Sequence, residues 1–115
     1  MRYLPQPAVD DIEFVEVMHA LSDQVRLRLL TALADDAEHA CTAAAEGIEV
    51  HKSTTSHHYR VLRDAGLISA RQDGRNRFIQ LRRTDLNIRF PGVLDAALAA
   101  GATVIAAAEA GSEPS

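Results

Sequence analysis

The chain concentrates hydroxyl, imidazole and guanidinium groups in one short stretch, KSTTSHHYRVLRDAGLI, at residues 52–68. Its apolar side chains share one face at helical spacing, and this leaves a polar stripe on the opposite face. The stripe consists of Ser53, Ser56, His57, Arg60 and Arg63. It offers hydrogen-bond donors and positive charge with almost no negative charge. The pattern indicates a helix that meets an anionic partner rich in hydrogen-bond acceptors.

Two helices are expected before this stretch. The first opens at Asp10–Asp11, and its buried face is predicted to hold Ile12, Val15, Met18 and Leu21. The second covers residues 23–34 after Ser22 as N-cap, with Val25, Leu29, Leu30 and Leu33 as its buried stripe. Arg26 and Arg28 lie off that stripe. A loop then leads to the helix-turn-helix region that contains residues 52–68.

The remaining elements complete a helix-turn-helix with a wing. A short helix at residues 40–46 is ended by Gly47, and the long helix has Ser53 as its expected N-cap and Gly66 at C′. Strands at 67–72 and 75–81 are joined by Asp73-Gly74, a strong hairpin turn signal. Pro91 at the N1 position opens a last helix, residues 92–108, whose apolar surface needs a cover, and a second copy in a homodimer is expected to supply it.

The bulk composition supports one small domain with segregated charge. The formal net charge is −4, yet residues 51–83 hold eight basic residues against Asp64 and Asp73, a local +6. A concentrated positive footprint matters more for DNA than the sum over the chain. A single cysteine, Cys41, excludes an internal disulfide and favours the cytoplasm. No apolar run of about 18 residues and no signal-peptide layout is expected, so no membrane is involved.

Three segments together resemble the ArsR/SmtB family of small winged-helix transcriptional regulators. They are HALSDQVRLRLLTAL (19–33), KSTTSHHYRVLRDAGLI (52–68) and ARQDGRNRFIQL (70–81), and the likeness covers roughly residues 14–98. It implies a mainly α-helical winged helix-turn-helix, with about five helices and a two-stranded β-hairpin. The chain then divides into an N-terminal arm (1–9), a DNA-binding and dimerisation domain (10–110) and a flexible tail (111–115).

The resemblance implies a sequence-specific regulator, expected to repress until an effector is sensed. Its partners would be double-stranded operator DNA and a second copy, held through the N-terminal helix and the C-terminal helix at about 91–108. The direction in which their side chains are expected to point, together with the resemblance, predicts that ten residues contact DNA. They are Lys52, Ser53, Thr55, Ser56, His57, Arg60, Arg63, Arg71, Arg75 and Arg77. The helix would read the major groove, and the wing arginines would approach the minor groove or backbone. Thr54 and His58 are predicted to face inward.

The sequence contains fewer candidate residues for binding an effector than for binding DNA. Many relatives bind metals through cysteine pairs before the recognition helix or through ligands on the last helix, and this chain has neither set. The best remaining group is His39, Cys41 and His51, whose nitrogen and sulfur donors suit Ni(II) or Zn(II). The alternatives for Cys41 are a small packed thiol and a redox-reactive thiol, and the second would need a lowered thiol pKa although the neighbouring residues are acidic.

Other function classes stay open or are disfavoured. The alternatives are a metal-independent or activating winged-helix regulator, and a winged-helix module that binds protein. Acidic replacements along the stripe would favour the protein-binding module, and they are absent. No enzyme is expected, because the sequence holds no G-x-S-x-G, no phosphate-cradling glycine loop and no H-E-x-x-H.

Overall fold

A computed structural model describes residues 2–112 of the chain, without the side chains of residues 111 and 112. Within that range the elements are β1 (Arg2–Tyr3), a 3₁₀ turn (Val9–Asp11), α1 (Phe14–Ala20), α2 (Gln24–Ala32), β2 (His39–Ala40), α3 (Cys41–Ala44), α4 (Lys52–Ala65), β3 (Ile68–Asp73), β4 (Asn76–Leu81), α5 (Arg83–Arg89) and α6 (Val93–Ser112). The fold is the expected mainly helical winged helix-turn-helix, with one helix more than the five anticipated. Of the predicted tail, residues 113–115 lie outside the described residues.

The hydrophobic core lies between α2, α4 and the wing. Leu29 and Leu30 of α2 pack with Leu62 of α4, and all three are fully buried. Ile68 and Ile79 close the core from β3 and β4. The leucine stripe predicted for α2 is therefore confirmed for these positions, and the core sits directly beneath the helix that carries the polar stripe.

The first two helices begin later than the sequence suggested. Helix α1 starts at Phe14, so Ile12 is buried ahead of the helix, while Val15 is 72% exposed. The inward face of α1 is formed by Val17 and Ala20, and the predicted face was wrong at Val15 and Met18, which are exposed.

The N-cap of α2 is Asp23, whose carboxylate accepts a hydrogen bond from the Arg26 backbone N–H at 3.1 Å. An aspartate satisfies one of the free N–H groups of a helix start well, and the serine before it is not needed for this purpose. The predicted cap, Ser22, instead donates its hydroxyl to the His19 carbonyl oxygen.

The wing is the middle of a four-stranded antiparallel sheet in the order β1-β3-β4-β2. The hairpin pairs Ile68 with Leu81 at its base and Asp73 with Asn76 at its tip, and Gly74 supplies the positive φ of the turn, +62°. The predicted hairpin is confirmed. The two flanking strands of two residues each were not predicted, because such short strands leave no local periodicity.

Helix α6 packs along α2 and leaves most of its own surface uncovered. Gly101 is buried on this contact, where an added Cβ atom would lie 3.4 Å from Leu27 Cδ2. The helix begins at Val93, because Gly92 has a φ of +83°, so Pro91 precedes the helix and does not open it as predicted.

The exposed part of α6 is strongly apolar. Val93–Ala110 has a mean hydropathy of 1.6 and is 11% buried, so by length and composition alone this stretch could cross a membrane. The sequence expectation that no such apolar run exists was wrong. One such helix is weak evidence for a membrane.

Candidate nucleic-acid interface

Helix α4 is fixed firmly at its C-terminal end. Gly66 ends it with a φ of +89°, and the N–H of Leu67 donates to the Leu62 carbonyl oxygen at 3.0 Å. A Cβ atom at position 66 would lie 2.7 Å from Ile12 Cγ1, so both the backbone angle and the packing require glycine. At the other end the N-cap is His51, and the predicted cap Ser53 already lies inside the helix.

The polar stripe of α4 is largely exposed as predicted. The first four members, Ser53, Ser56, His57 and Arg60, are exposed. Arg63 is half-buried, and its Nε atom is buried with no hydrogen-bond partner among the described residues. Thr54 is also exposed, so its predicted inward orientation was wrong, although it lies one turn before the buried His58.

Two hydroxyl groups of α4 are engaged within the fold, one of them against α3. Tyr59 is buried and donates its hydroxyl to the Cys41 carbonyl oxygen at 2.7 Å, and burial raises the pKa of this phenol. Thr55 is half-buried and donates its hydroxyl to the His51 carbonyl oxygen at 3.3 Å. The hydroxyl of Thr55, predicted to contact DNA, is thus engaged locally.

A buried arginine of α2 joins α4 to α1. Arg26 is 7% exposed, although the sequence placed it off the buried stripe. Its Nε donates to the Ala20 carbonyl oxygen at 2.8 Å, and its Nη2 donates to that of His19 at 3.2 Å. Its Nη1 lies 3.1 Å from Nδ1 of His58. The guanidinium therefore connects the C-terminal end of α1 to the inner face of α4.

This contact fixes the protonation state of His58. A guanidinium can only donate, so Nδ1 of His58 accepts and the ring is neutral with its proton on Nε2. Burial lowers the pKa of His58, and Arg26 and His57 add to this effect, while Asp23, 4.0 Å from Nε2, opposes it. The prediction that His58 faces inward is confirmed.

The wing arginines differ sharply in their surroundings. Arg71 donates from Nε to Glu38 at 2.6 Å, makes a second bond to the same carboxylate, and lies 4.5 Å over the Phe78 ring. Arg77 donates from Nε to Gln72 at 3.2 Å. Arg75 at the tip is exposed, and its guanidinium forms no hydrogen bond or ion pair within residues 2–112.

The comparisons with known proteins agree with this geometry. A family model described as a helix-turn-helix domain matches residues 21–70. The HTH-type transcriptional regulator YceK of Bacillus subtilis, itself uncharacterized, is 33% identical over 87 residues, which are 75% of this chain and 87% of that protein. A transcriptional repressor SmtB homolog of Synechocystis is 39% identical over 69 residues, 60% of this chain and 52% of that protein. The chain belongs to the ArsR/SmtB family.

A solved structure extends the likeness to three dimensions. The structure described as a possible transcriptional regulator for arsenical resistance superposes with a TM-score of 0.56 at 29% identity, over 74% of this chain and 78% of that one. ArsR/SmtB proteins are helix-turn-helix transcriptional regulators, so α4 occupies the recognition-helix position of a DNA-binding fold.

The metal ligands suggested by the sequence do not fit together in this ArsR/SmtB chain. His39 has its Nε2 atom 2.8 Å from one carboxylate oxygen of Asp35 and 3.0 Å from the other. Burial raises the pKa of Cys41 to about 11, so its thiol is protonated at neutral pH. His51 is exposed at the start of α4. Across the described range, no three His, Cys, Asp or Glu side chains form a group that could hold a metal.

Sequence reasoning missed two features of this ArsR/SmtB interface. One is the contact of Arg26 with His58, which are 32 positions apart in the chain. The other is a cavity between α3, α4 and the wing, whose floor includes Ile48 and Tyr59. The local signal for the first was the predicted inward orientation of His58, and the signal for the second was a tyrosine on the inner face of α4.

Proposed function

We propose that the protein is a homodimeric repressor that acts in the cytoplasm and binds a double-stranded operator through α4 and the tip of the wing. The observation that carries the proposal is the polar stripe on α4. Its exposed hydroxyl, imidazole and guanidinium groups lie on a helix that is held in place by three contacts. These are the close packing at Gly66, the hydrogen bond of Tyr59 and the contact of Arg26 with His58. A rigid helix with such a face fits the major groove, where base edges present acceptors and donors.

Each exposed group has a distinct task in this proposal. Ser53, Ser56, His57 and Arg60 reach base edges or adjacent phosphates, since they lie on the outer face of α4. Lys52 stands at the first position of the helix, where a cation meets the DNA backbone. Thr55 and Arg63 are half-buried and play smaller parts than the sequence suggested.

The wing contributes through its tip. Arg75 is exposed and follows the turn, so it approaches the minor groove or the backbone beside the recognition helix. Arg77 is held by Gln72 through one bond only and keeps donors for a phosphate. Arg71 is committed to Glu38, and we assign it to the stability of the wing and not to DNA.

The dimer is proposed from exposed apolar surface on two helices. On α1, Val15 is 72% exposed and Phe14 and Met18 are also exposed, and on α6 Val104 is exposed within the apolar stretch Val93–Ala110. Exposed apolar patches of this kind mark protein contacts, and a cyclic dimer would cover both helices with their own copies. A dimer also places two recognition helices on a roughly palindromic operator with half-sites about one helical turn apart.

The DNA-binding proposal is tested by fluorescence anisotropy on a labelled duplex from the region upstream of the gene, with a scrambled duplex as control. We expect binding at least about 1,000-fold tighter to the first duplex than to the second at the same salt concentration. Equal binding to both duplexes would overturn the proposal of sequence-specific recognition.

The dimer is tested separately, by sedimentation velocity in the absence of DNA. The expected species has twice the mass of the 12.5 kDa chain. The substitution Val104→Glu, which leaves the proposed DNA surface untouched, should shift the species towards a monomer. A parent protein that sediments as a monomer at micromolar concentration would contradict the proposed assembly.

A further inference from the structure

A cavity of about 450 Å³ lies between α3, α4 and the wing, beside the polar stripe. This volume lies within the range of small-molecule sites. Its floor is apolar, with Ala45 and Ile48 following α3 and the Tyr59 ring rising from α4. Its rim is cationic, with Lys52 at the start of α4 and Arg75 and Arg77 from the wing.

The chemistry of the lining selects a negatively charged ligand with an apolar body. The lining holds three cationic side chains and no carboxylate. The polar groups of the floor are neutral or already engaged, because burial keeps the Cys41 thiol protonated and the Tyr59 hydroxyl donates to a carbonyl. An apolar body would therefore rest on the floor while its anionic group met the rim.

We propose that this cavity binds a small organic carboxylate with an aromatic or aliphatic body, and that the bound carboxylate releases operator DNA. The second half of the proposal rests on the proposed function. The cavity and the DNA surface share Lys52, Ser56 and Arg75, so one anion occupies positions that DNA phosphates and base edges also need. Release follows from direct competition, and no movement of a distant element is required.

The ligand half is tested without DNA, with 1-naphthoate as the probe and the neutral alcohol 1-naphthalenemethanol as its match. The chain contains no tryptophan, so naphthalene fluorescence is read without tryptophan emission. We expect one naphthoate per chain and an affinity at least about tenfold higher than that of the alcohol, because only the carboxylate meets the cationic rim.

Two substitutions separate the floor from the rim. Ala45→Leu fills the floor, and Arg77→Gln removes one rim cation while it keeps a hydrogen-bond donor. Each should weaken naphthoate binding about tenfold or more. Arg71→Gln is the matched control on the same hairpin, since Arg71 does not line the cavity, and it should leave naphthoate affinity unchanged. Equal affinity for naphthoate and the alcohol, or unchanged affinity in both cavity variants, would overturn the site.

The regulatory half is tested by adding naphthoate to the protein bound to the labelled upstream duplex. We expect release of the duplex by naphthoate and not by the alcohol, and Ala45→Leu should bind the duplex yet resist release. Naphthoate binding without release would overturn the competition. A failure of specific DNA binding would appear in the titration without naphthoate, so it is distinguished from a failure of the cavity.

Discussion

The middle and the tip of the wing use the same residue type in opposite ways. In the middle of the hairpin, Arg71 is bound to Glu38 by two hydrogen bonds and covers the Phe78 ring. At the tip, Arg75 is exposed, with no partner in the part of the chain that the structure describes. An arginine with a carboxylate partner stabilises the fold, and one without such a partner is available to phosphates. Sequence alone counts both as one positive charge.

The same division runs through the positive segment as a whole. Of its eight basic residues, Arg71, Arg82 and Arg83 form ion pairs with carboxylates. The local +6 therefore overstates the charge that DNA would meet. Substitutions test the difference between arginines that are bonded within the fold, which we call inward, and arginines on exposed surface, which we call outward.

Arg26→Ala should have the largest effect, and on stability. It leaves the Ala20 and His19 carbonyls and the His58 ring without their donor, and we expect a loss of about 3 kcal/mol in the free energy of unfolding. Urea unfolding followed by circular dichroism measures this loss. Arg28→Ala on the same helix removes an exposed pair with Glu109 and should cost less than about 1 kcal/mol. Equal losses would erase the distinction between inward and outward arginines.

Arg60→Ala should act on DNA and spare the fold. Arg60 is exposed in the middle of the stripe, so its loss removes a base-edge or phosphate contact worth about 1–3 kcal/mol for each recognition helix. Anisotropy with the upstream duplex should show at least about tenfold weaker binding and reduced discrimination against the scrambled duplex. Unfolding midpoints should match the parent protein, and a large fall in stability would show that Arg60 belongs with the inward group.

Arg75→Ala and Arg71→Ala form the matched pair within the wing. We expect Arg75→Ala to lower the slope of log affinity against log salt by about one for each chain, because one phosphate contact is lost. Arg71→Ala should leave that slope unchanged and lower stability modestly. The titrations are repeated at several salt concentrations. A reduced salt slope in Arg71→Ala would show that Arg71 contacts DNA.

His58→Asn should have the smallest effect, confined to acidic conditions. The pKa of His58 in the folded chain lies below its ordinary value of 6.5, so the unfolded chain takes up a proton first as the pH falls through that value. The free energy of unfolding of the parent protein should therefore decrease below about pH 6.5. Asparagine keeps an acceptor for Arg26 and does not titrate, so the variant should lose less stability between neutral pH and about pH 5. Parallel pH profiles would contradict this assignment.

Local patterns predicted the elements that local chemistry controls. The helical spacing of α4, the glycine that ends it and the Asp73-Gly74 turn of the wing all follow from neighbouring residues, and each is confirmed. Helix α5 was missed, because seven residues between the wing and α6 give too short an amphipathic pattern. Strands β1 and β2 were missed because their hydrogen bonds come from partners distant in sequence.

The candidate site was predicted less evenly than the fold. The exposed positions of α4 followed from periodicity, but the roles of arginines did not. Glu38 lies 33 positions from Arg71, and His58 lies 32 positions from Arg26. Neither pairing can therefore be predicted from the local sequence pattern. The DNA contacts themselves remain predictions, and the grouping of His39 with Cys41 and His51 has no support in the fold.

The position of the wing inside the sheet has a consequence for binding entropy. An isolated two-stranded hairpin is marginally stable in water, but β3 pairs with β1 on one edge and β4 pairs with β2 on the other. The N–H of Leu4 adds a bond to the Ala70 carbonyl at 2.9 Å. Conformational freedom of the wing strands outside the turn is thus removed during folding. If DNA binds at Arg75 as proposed, only the turn is left to order, so little affinity would be lost to ordering the backbone of the wing.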